Sequence, residues 1–129
     1  MKLSMKPTVK PFVIETLDGD VNVVVSKFTI LDGERRQSLV NHVFDDKTAT
    51  ELDKFNAMNI ARVMCSIKHA DTLEYFWQGD VADFKLQGYE MGFINALVSE
   101  VDKMNPMLLP GVTENGKPES LLDTKKNES

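Results

Sequence analysis

Residue types that carry chemistry are scarce in this sequence. A single cysteine, Cys65, excludes an intramolecular disulfide, suits a reducing cytosol, and is expected to be a small buried thiol on a helix. The two histidines, His42 and His69, have no second His, Cys or Glu at metal-ligand spacing, so the common zinc motifs are missing. Ser26, Ser38, Ser66 and Ser99 sit in no Gly-x-Ser-x-Gly elbow. Gly88-Tyr89-Glu90-Met91-Gly92 lies in a helical stretch without a following Lys, unlike a phosphate-cradling loop. Asp18-Gly19-Asp20 supplies only the beginning of a calcium loop. Cationic charge is also short: 15 Lys plus Arg against 20 Asp plus Glu give a net charge of -5, which argues against generic nucleic-acid backbone binding. No eighteen-residue apolar run exists to span a membrane. Lys2, Lys6 and Lys10 are interrupted by Pro7 and Pro11 and lead into no apolar export signal. No catalytic, metal-binding or cofactor-binding residue is therefore nominated, and the chain is read as a non-enzyme.

What is present is pattern. With 42% hydrophobic and 8% aromatic residues in 129, the chain can build one core of ordinary size. Residues 1–10 read as an arm, 11–104 as one α+β domain, and 105–129 as a flexible, disordered tail. Phe12 to Leu17 is rich in β-branched and aromatic residues, Asp18-Gly19-Asp20 supplies turn chemistry, and Val21 to Val25 returns. A β-hairpin over 12–25 follows, with Val21, Val23 and Val25 on one face. Three to four helices are expected after it. The first covers about 33–43, capped by Asp32; the second covers 50–69, with Leu52, Ile60, Val63, Met64 and Ile67 as its stripe. A short helix at 72–77 holds three adjacent aromatics, and a long one covers 81–104. That last helix has apolar residues on two nearly opposite faces, and its one-turn Gly88/Gly92 spacing predicts a bend or close approach of another helix. Acidic pairs such as Asp45-Asp46 and Glu51/Asp53 belong at helix termini. Asn56 and Asn59 border the central stripe as hydrogen-bonded boundary residues.

The order of these parts resembles a known family. A short hairpin, a helix after Phe28-Thr29-Ile30-Leu31-Asp32-Gly33-Glu34-Arg35-Arg36, a central helix with Ile60-Ala61-Arg62-Val63-Met64-Cys65-Ser66-Ile67, a Trp before the last long helix and a polar tail look like the tail assembly chaperones of long-tailed, lambda-like bacteriophages. The resemblance covers most of residues 10–104 and rests on arrangement, without an invariant motif. It implies a non-catalytic protein of the host cell cytoplasm that binds the tape measure protein and keeps it soluble while the tail tube assembles. It also implies a minor product, extended by ribosomal frameshifting, that recruits the tail tube protein; Gly116-Lys117 and Lys125-Lys126 suit slippery codons.

A chaperone of this kind needs accessible apolar surface shielded by self-association. A homo-oligomer is expected, with Phe12, Ile14, Val23 and Val25 of the hairpin at subunit contacts. Phe76, Trp77, Phe84, Tyr89 and Phe93 are the candidates for a client or subunit surface, because aromatics supply large contact area at low entropic cost. For any one of them, simple core filling is the competing reading. Leu108-Leu109 and Leu121-Leu122 are the apolar handles of the tail. Two other functions remain open: a small non-catalytic phage or bacterial adaptor or regulatory protein, and an enzyme whose site forms between subunits, with His42 or His69 meeting a neighbour's carboxylate.

Overall fold

Strand-forming residues on both sides of a Gly-containing corner make an antiparallel hairpin, as the alternation predicts. Its strands are β1 (Val9–Thr16) and β2 (Gly19–Ser26), in register from Val9 opposite Ser26 to Thr16 opposite Gly19. They begin earlier than expected, taking Val9 and Lys10 from the arm. Leu17 and Asp18 form the corner with ordinary negative φ, and Gly19, at φ +120°, absorbs the reversal. The Thr16 hydroxyl donates to the Gly19 carbonyl at 2.7 Å. A computed structural model describes residues 1–106 of the chain; both leucine pairs of the tail, Gly116-Lys117 and Lys125-Lys126 lie outside them.

The helices begin where short polar side chains satisfy the free N–H groups of a first turn. Helix α1 (Ile30–Phe44) starts three residues before the expected point. Its cap is Thr29, and Asp32 is instead the third helical residue, closing a reciprocal capping box. Thr50 and Asp53 do the same for α2 (Glu51–Ser66), and Asp80 and Asp83 for α3 (Val81–Leu86). Helix α4 (Met91–Met104) follows.

Three expectations fail here. The central helix stops at Ser66, and the chain passes without a linker into β3 (Ile67–His69), which pairs antiparallel with β2. Ile67 suited both the helical stripe and a strand; pairing with Val25 decides between them. The 72–77 helix is absent. Leu73 sits at φ +62°, the His69 N–H donates to the Glu74 carbonyl at 2.8 Å, and the Phe76 N–H donates to Ile67 at 3.1 Å, folding this segment back along β3. Finally, the 81–104 helix is two helices. Gly88, at φ +69°, ends the first. A Cβ at Gly88 or Gly92 would meet nothing within 4 Å, so their spacing reflects no close helix approach. The break lets Phe84 and Leu97, which a continuous helix would hold on different faces, reach the same core.

Gly88→Ala is therefore expected to cost about 1–2 kcal/mol through left-handed backbone strain. Gly92→Ala should be neutral or stabilise by up to about 1 kcal/mol. Urea denaturation of the pair separates the two roles, and equal losses would contradict this account.

The sheet has the order β1-β2-β3. Its inner face, with Val23, Val25 and Ile67, joins Val63 and Met64 of α2, Leu97 and Val101 of α4, and Phe84 of α3 in one core. Asn105 fastens the end of α4 to this centre. Its side-chain amide donates to the Ser26 carbonyl at 2.8 Å and the Ser66 hydroxyl at 3.1 Å, and its oxygen accepts from the Phe28 N–H at 2.8 Å. Buried Arg62 donates to the Asn105 carbonyl at 2.7 Å and pairs with Asp102 at 2.6 Å.

Candidate contact surface

The five nominated aromatics come together, drawn from the β3 return, α3, the α3–α4 connection and the start of α4. Trp77 is the hub. Its indole N–H donates to the Tyr89 hydroxyl at 3.0 Å, and its ring meets Phe76 and Phe84 edge-on at centroid separations of 4.7 and 5.1 Å. Tyr89 in turn packs on Phe84 at 5.4 Å and Phe93 at 5.1 Å. Such tilted contacts match the electron-rich faces of aromatic rings to their electropositive edges. Burial divides the group: Trp77 is 7% exposed and Phe84 2%, whereas Phe76, Tyr89 and Phe93 are half-buried. Of the hairpin candidates, Ile14, Val23 and Val25 are buried in the core and Phe12 is half-buried. Five of the nine nominated residues thus fill the interior of the subunit. The accessible area falls to Phe12, Phe76, Tyr89 and Phe93.

Two depressions flank this aromatic cluster. One, of about 630 Å³, lies between the hairpin tip at Ile14 to Asp18 and the rings of Phe76, Trp77, Tyr89 and Phe93. The other, of about 380 Å³, is a groove between α2 and α4. Ile60, Phe84, Tyr89, Ile94 and Val98 make it apolar, and Asn56, Asn59 and Asn95 add carboxamides. Phe55 and Met91, 57% and 69% exposed, also line it. Neither was nominated from the sequence. Phe55 lies off the α2 stripe, and an apolar residue displaced from a core stripe was the signal available.

Behind α1 lies a buried charged network. Asp32 accepts from the Lys68 ammonium at 2.9 Å and the Tyr75 hydroxyl at 2.6 Å, besides its bond to the Thr29 N–H. Burial alone would raise the Asp32 pKa, but the bonds from Tyr75, Thr29 and Lys68 outweigh it and hold the carboxyl below the ordinary value. Arg35 lies 4.1 Å from the Tyr75 ring centre and donates to the Trp77 carbonyl at 2.7 Å. The network ties α1 to the sheet edge and the β3 return.

Cys65 is fully buried, and burial pushes its thiol up to about 11. A thiolate reagent at neutral pH is therefore expected to leave the native thiol unmodified and to label it only as fast as the protein opens. Rapid labelling of the folded protein would contradict the burial of α2. His69 meets the Phe76 ring at a tilt, with the ring centres 5.1 Å apart. His42 borders a shallow cleft with Asp46, Asp53 and Asp80, whose carboxylates accept bonds from Thr48, Thr50 and Asp83. Among the described residues, no group of His, Cys, Asp and Glu is arranged to hold a metal ion, and no helix is long and apolar enough to cross a membrane.

The chain is similar to the bacteriophage HK97 tail assembly chaperone. The two share 16% identity over 73% of this chain and 84% of the other, with a TM-score of 0.40. No protein-family model matches the sequence, and no curated protein matches it.

Proposed function

We propose that the chain acts by contact, as a tail assembly chaperone that binds the tape measure protein of a long-tailed phage and keeps it soluble in the host cytoplasm. The observation that carries this reading is the apolar surface on the helical side. Phe55 and Met91 line the groove between α2 and α4, and Leu52 of α2 and Leu86 of α3 are exposed as well, an accumulation of exposed apolar side chains that marks contact sites. The order of elements in the sequence supports the same reading. Self-association protects this surface before a client arrives, and β1, an edge strand with exposed Val9 and Val13, offers the hairpin side for it. The tail tube protein enters only through a frameshift-extended product.

Co-expression with the long apolar-patterned protein encoded just downstream, followed by pull-down and light scattering, tests the reading. A soluble complex of defined mass is expected, and Phe55→Asp with Met91→Asp should abolish it without unfolding the chaperone. A client that stays insoluble, or a locus without such a gene, favours an adaptor role.

A further inference from the structure

We propose that residues 1–6 form an arm that docks on a second copy of this chain, laying Met1, Leu3 and Met5 across the depression between the hairpin corner and the aromatic cluster. The inference rests on the self-association invoked above and not on the identity of any client.

The arm is the first observation. Leu3 is 83% exposed, and Met1 and Met5 are completely so. They alternate with Lys2, Ser4 and Lys6, so an extended arm carries an apolar row on one side and two ammonium groups on the other. Three large apolar side chains open in one row make a patch of the kind that marks a contact.

The receiving site is the second. The depression of about 630 Å³ is walled by the rings of Phe76, Trp77, Tyr89 and Phe93, and the charged residues lining it are Glu15 and Asp18. Neither carboxylate pairs with a cation among the described residues. At the corner, where turns ordinarily carry polar side chains, Leu17 stands fully exposed. Methionine thioethers pack well against aromatic rings, and lysine stems lie along apolar surface while their ammonium groups reach a carboxylate rim. Charge selects this cavity over the groove between α2 and α4, whose charged lining residue is Lys85.

The path of the chain makes the contact one between copies. The Thr8 carbonyl accepts from the Lys27 N–H at 2.9 Å, which carries the hairpin ladder beyond Val9 and directs the arm away from the corner. Ile14, the first lining residue of β1, lies roughly 20 Å back along the strand from Thr8 at about 3.3 Å per residue. Even a tight reversal at Pro7-Thr8 would set Leu3 and Met5 beside Phe12 and Lys10, short of the pocket. A twofold axis across the middle of β1, by contrast, brings the arm end of each hairpin to the corner of the other. Both pockets then fill at once and the assembly closes.

Sedimentation and spin labelling of the full-length protein test this. Leu3→Asp with Met5→Asp, at open positions, should weaken self-association by about tenfold or more while circular dichroism stays native. Glu15→Lys with Asp18→Lys should weaken it likewise, and adding Lys2→Glu with Lys6→Glu to that chain should restore it. A nitroxide on Ser4→Cys labels that position alone, because Cys65 is buried. When labelled chains are mixed with isotope-enriched unlabelled ones, the amides of Leu17, Tyr89 and Phe93 are expected to broaden. Self-association indifferent to the arm substitutions, a charge swap that restores nothing, or absence of broadening overturns arm docking and leaves the client reading untouched. Broadening within single labelled and enriched chains at monomeric dilution places the arm on its own subunit and overturns the proposal equally. A wild-type chain that sediments as a monomer overturns both arm docking and self-association, while the pull-down still decides client binding.

Discussion

Asp32→Asn is expected to remove about 3 kcal/mol of stability, the low end of the range for breaking a buried ion pair. Asparagine keeps the shape and the bond to the Thr29 N–H, so the loss comes from charge. Lys68, with its side chain only 11% exposed, would be left without its carboxylate partner. For a domain of this size, that loss corresponds to a fall in Tm of roughly 10–20 °C. Replacing both members, as Asp32→Asn with Lys68→Met, should recover much of it, because the uncompensated ammonium disappears. A double variant as unstable as the single one would show that the network does not act through charge pairing.

The same carboxylate sets a pH dependence. A native pKa held below the unfolded value means that folding favours the ionised form. The stabilisation is complete above the unfolded value of about 4 and disappears as pH falls through the native one. Exposed carboxylates at the helix caps contribute in the same direction, so the diagnostic quantity is the difference between the two proteins. Wild type should lose its advantage over Asp32→Asn as denaturation is measured from pH 6 towards acid, and a constant difference would contradict the assignment.

Trp77→Ala should be equally damaging, costing about 3–5 kcal/mol for an aromatic removed from a closed core. The side chain is the hub of the cluster, and its loss leaves Phe76, Phe84 and Tyr89 around a void. Against a total stability of about 5–15 kcal/mol, such a variant lies close to unfolding. Tyr89→Phe removes only the acceptor of the indole bond and is expected to cost about 1 kcal/mol. Met91→Asp, on an exposed groove wall, should change stability by less than about 0.5 kcal/mol. Thermal denaturation of the three variants separates interior from surface. If Trp77→Ala melted like wild type but lost binding to a partner, the indole would belong to an interface.

The division between sequence and structure follows the range of the forces involved. Local pattern determined the hairpin, because alternating β-branched residues flank a glycine corner. It also determined the body of α2, whose apolar stripe recurs at helical spacing behind a Thr50 cap. The scarcity of chemical groups and the burial of Cys65 were legible in the same way. The aromatics were singled out as important, but sequence could not distinguish core from surface, since both uses favour large rings; packing placed Trp77 and Phe84 inside and left Tyr89 and Phe93 at the edge. Gly88 was visible as an anomaly, yet only the backbone showed that it stops a helix. The short β3 strand, the return of residues 70–78 along it and the Asp32–Lys68–Tyr75 network were decided by tertiary structure alone. Each depends on partners between five and more than forty residues away, and no local propensity encodes a pairing that becomes favourable only after the intervening chain has folded.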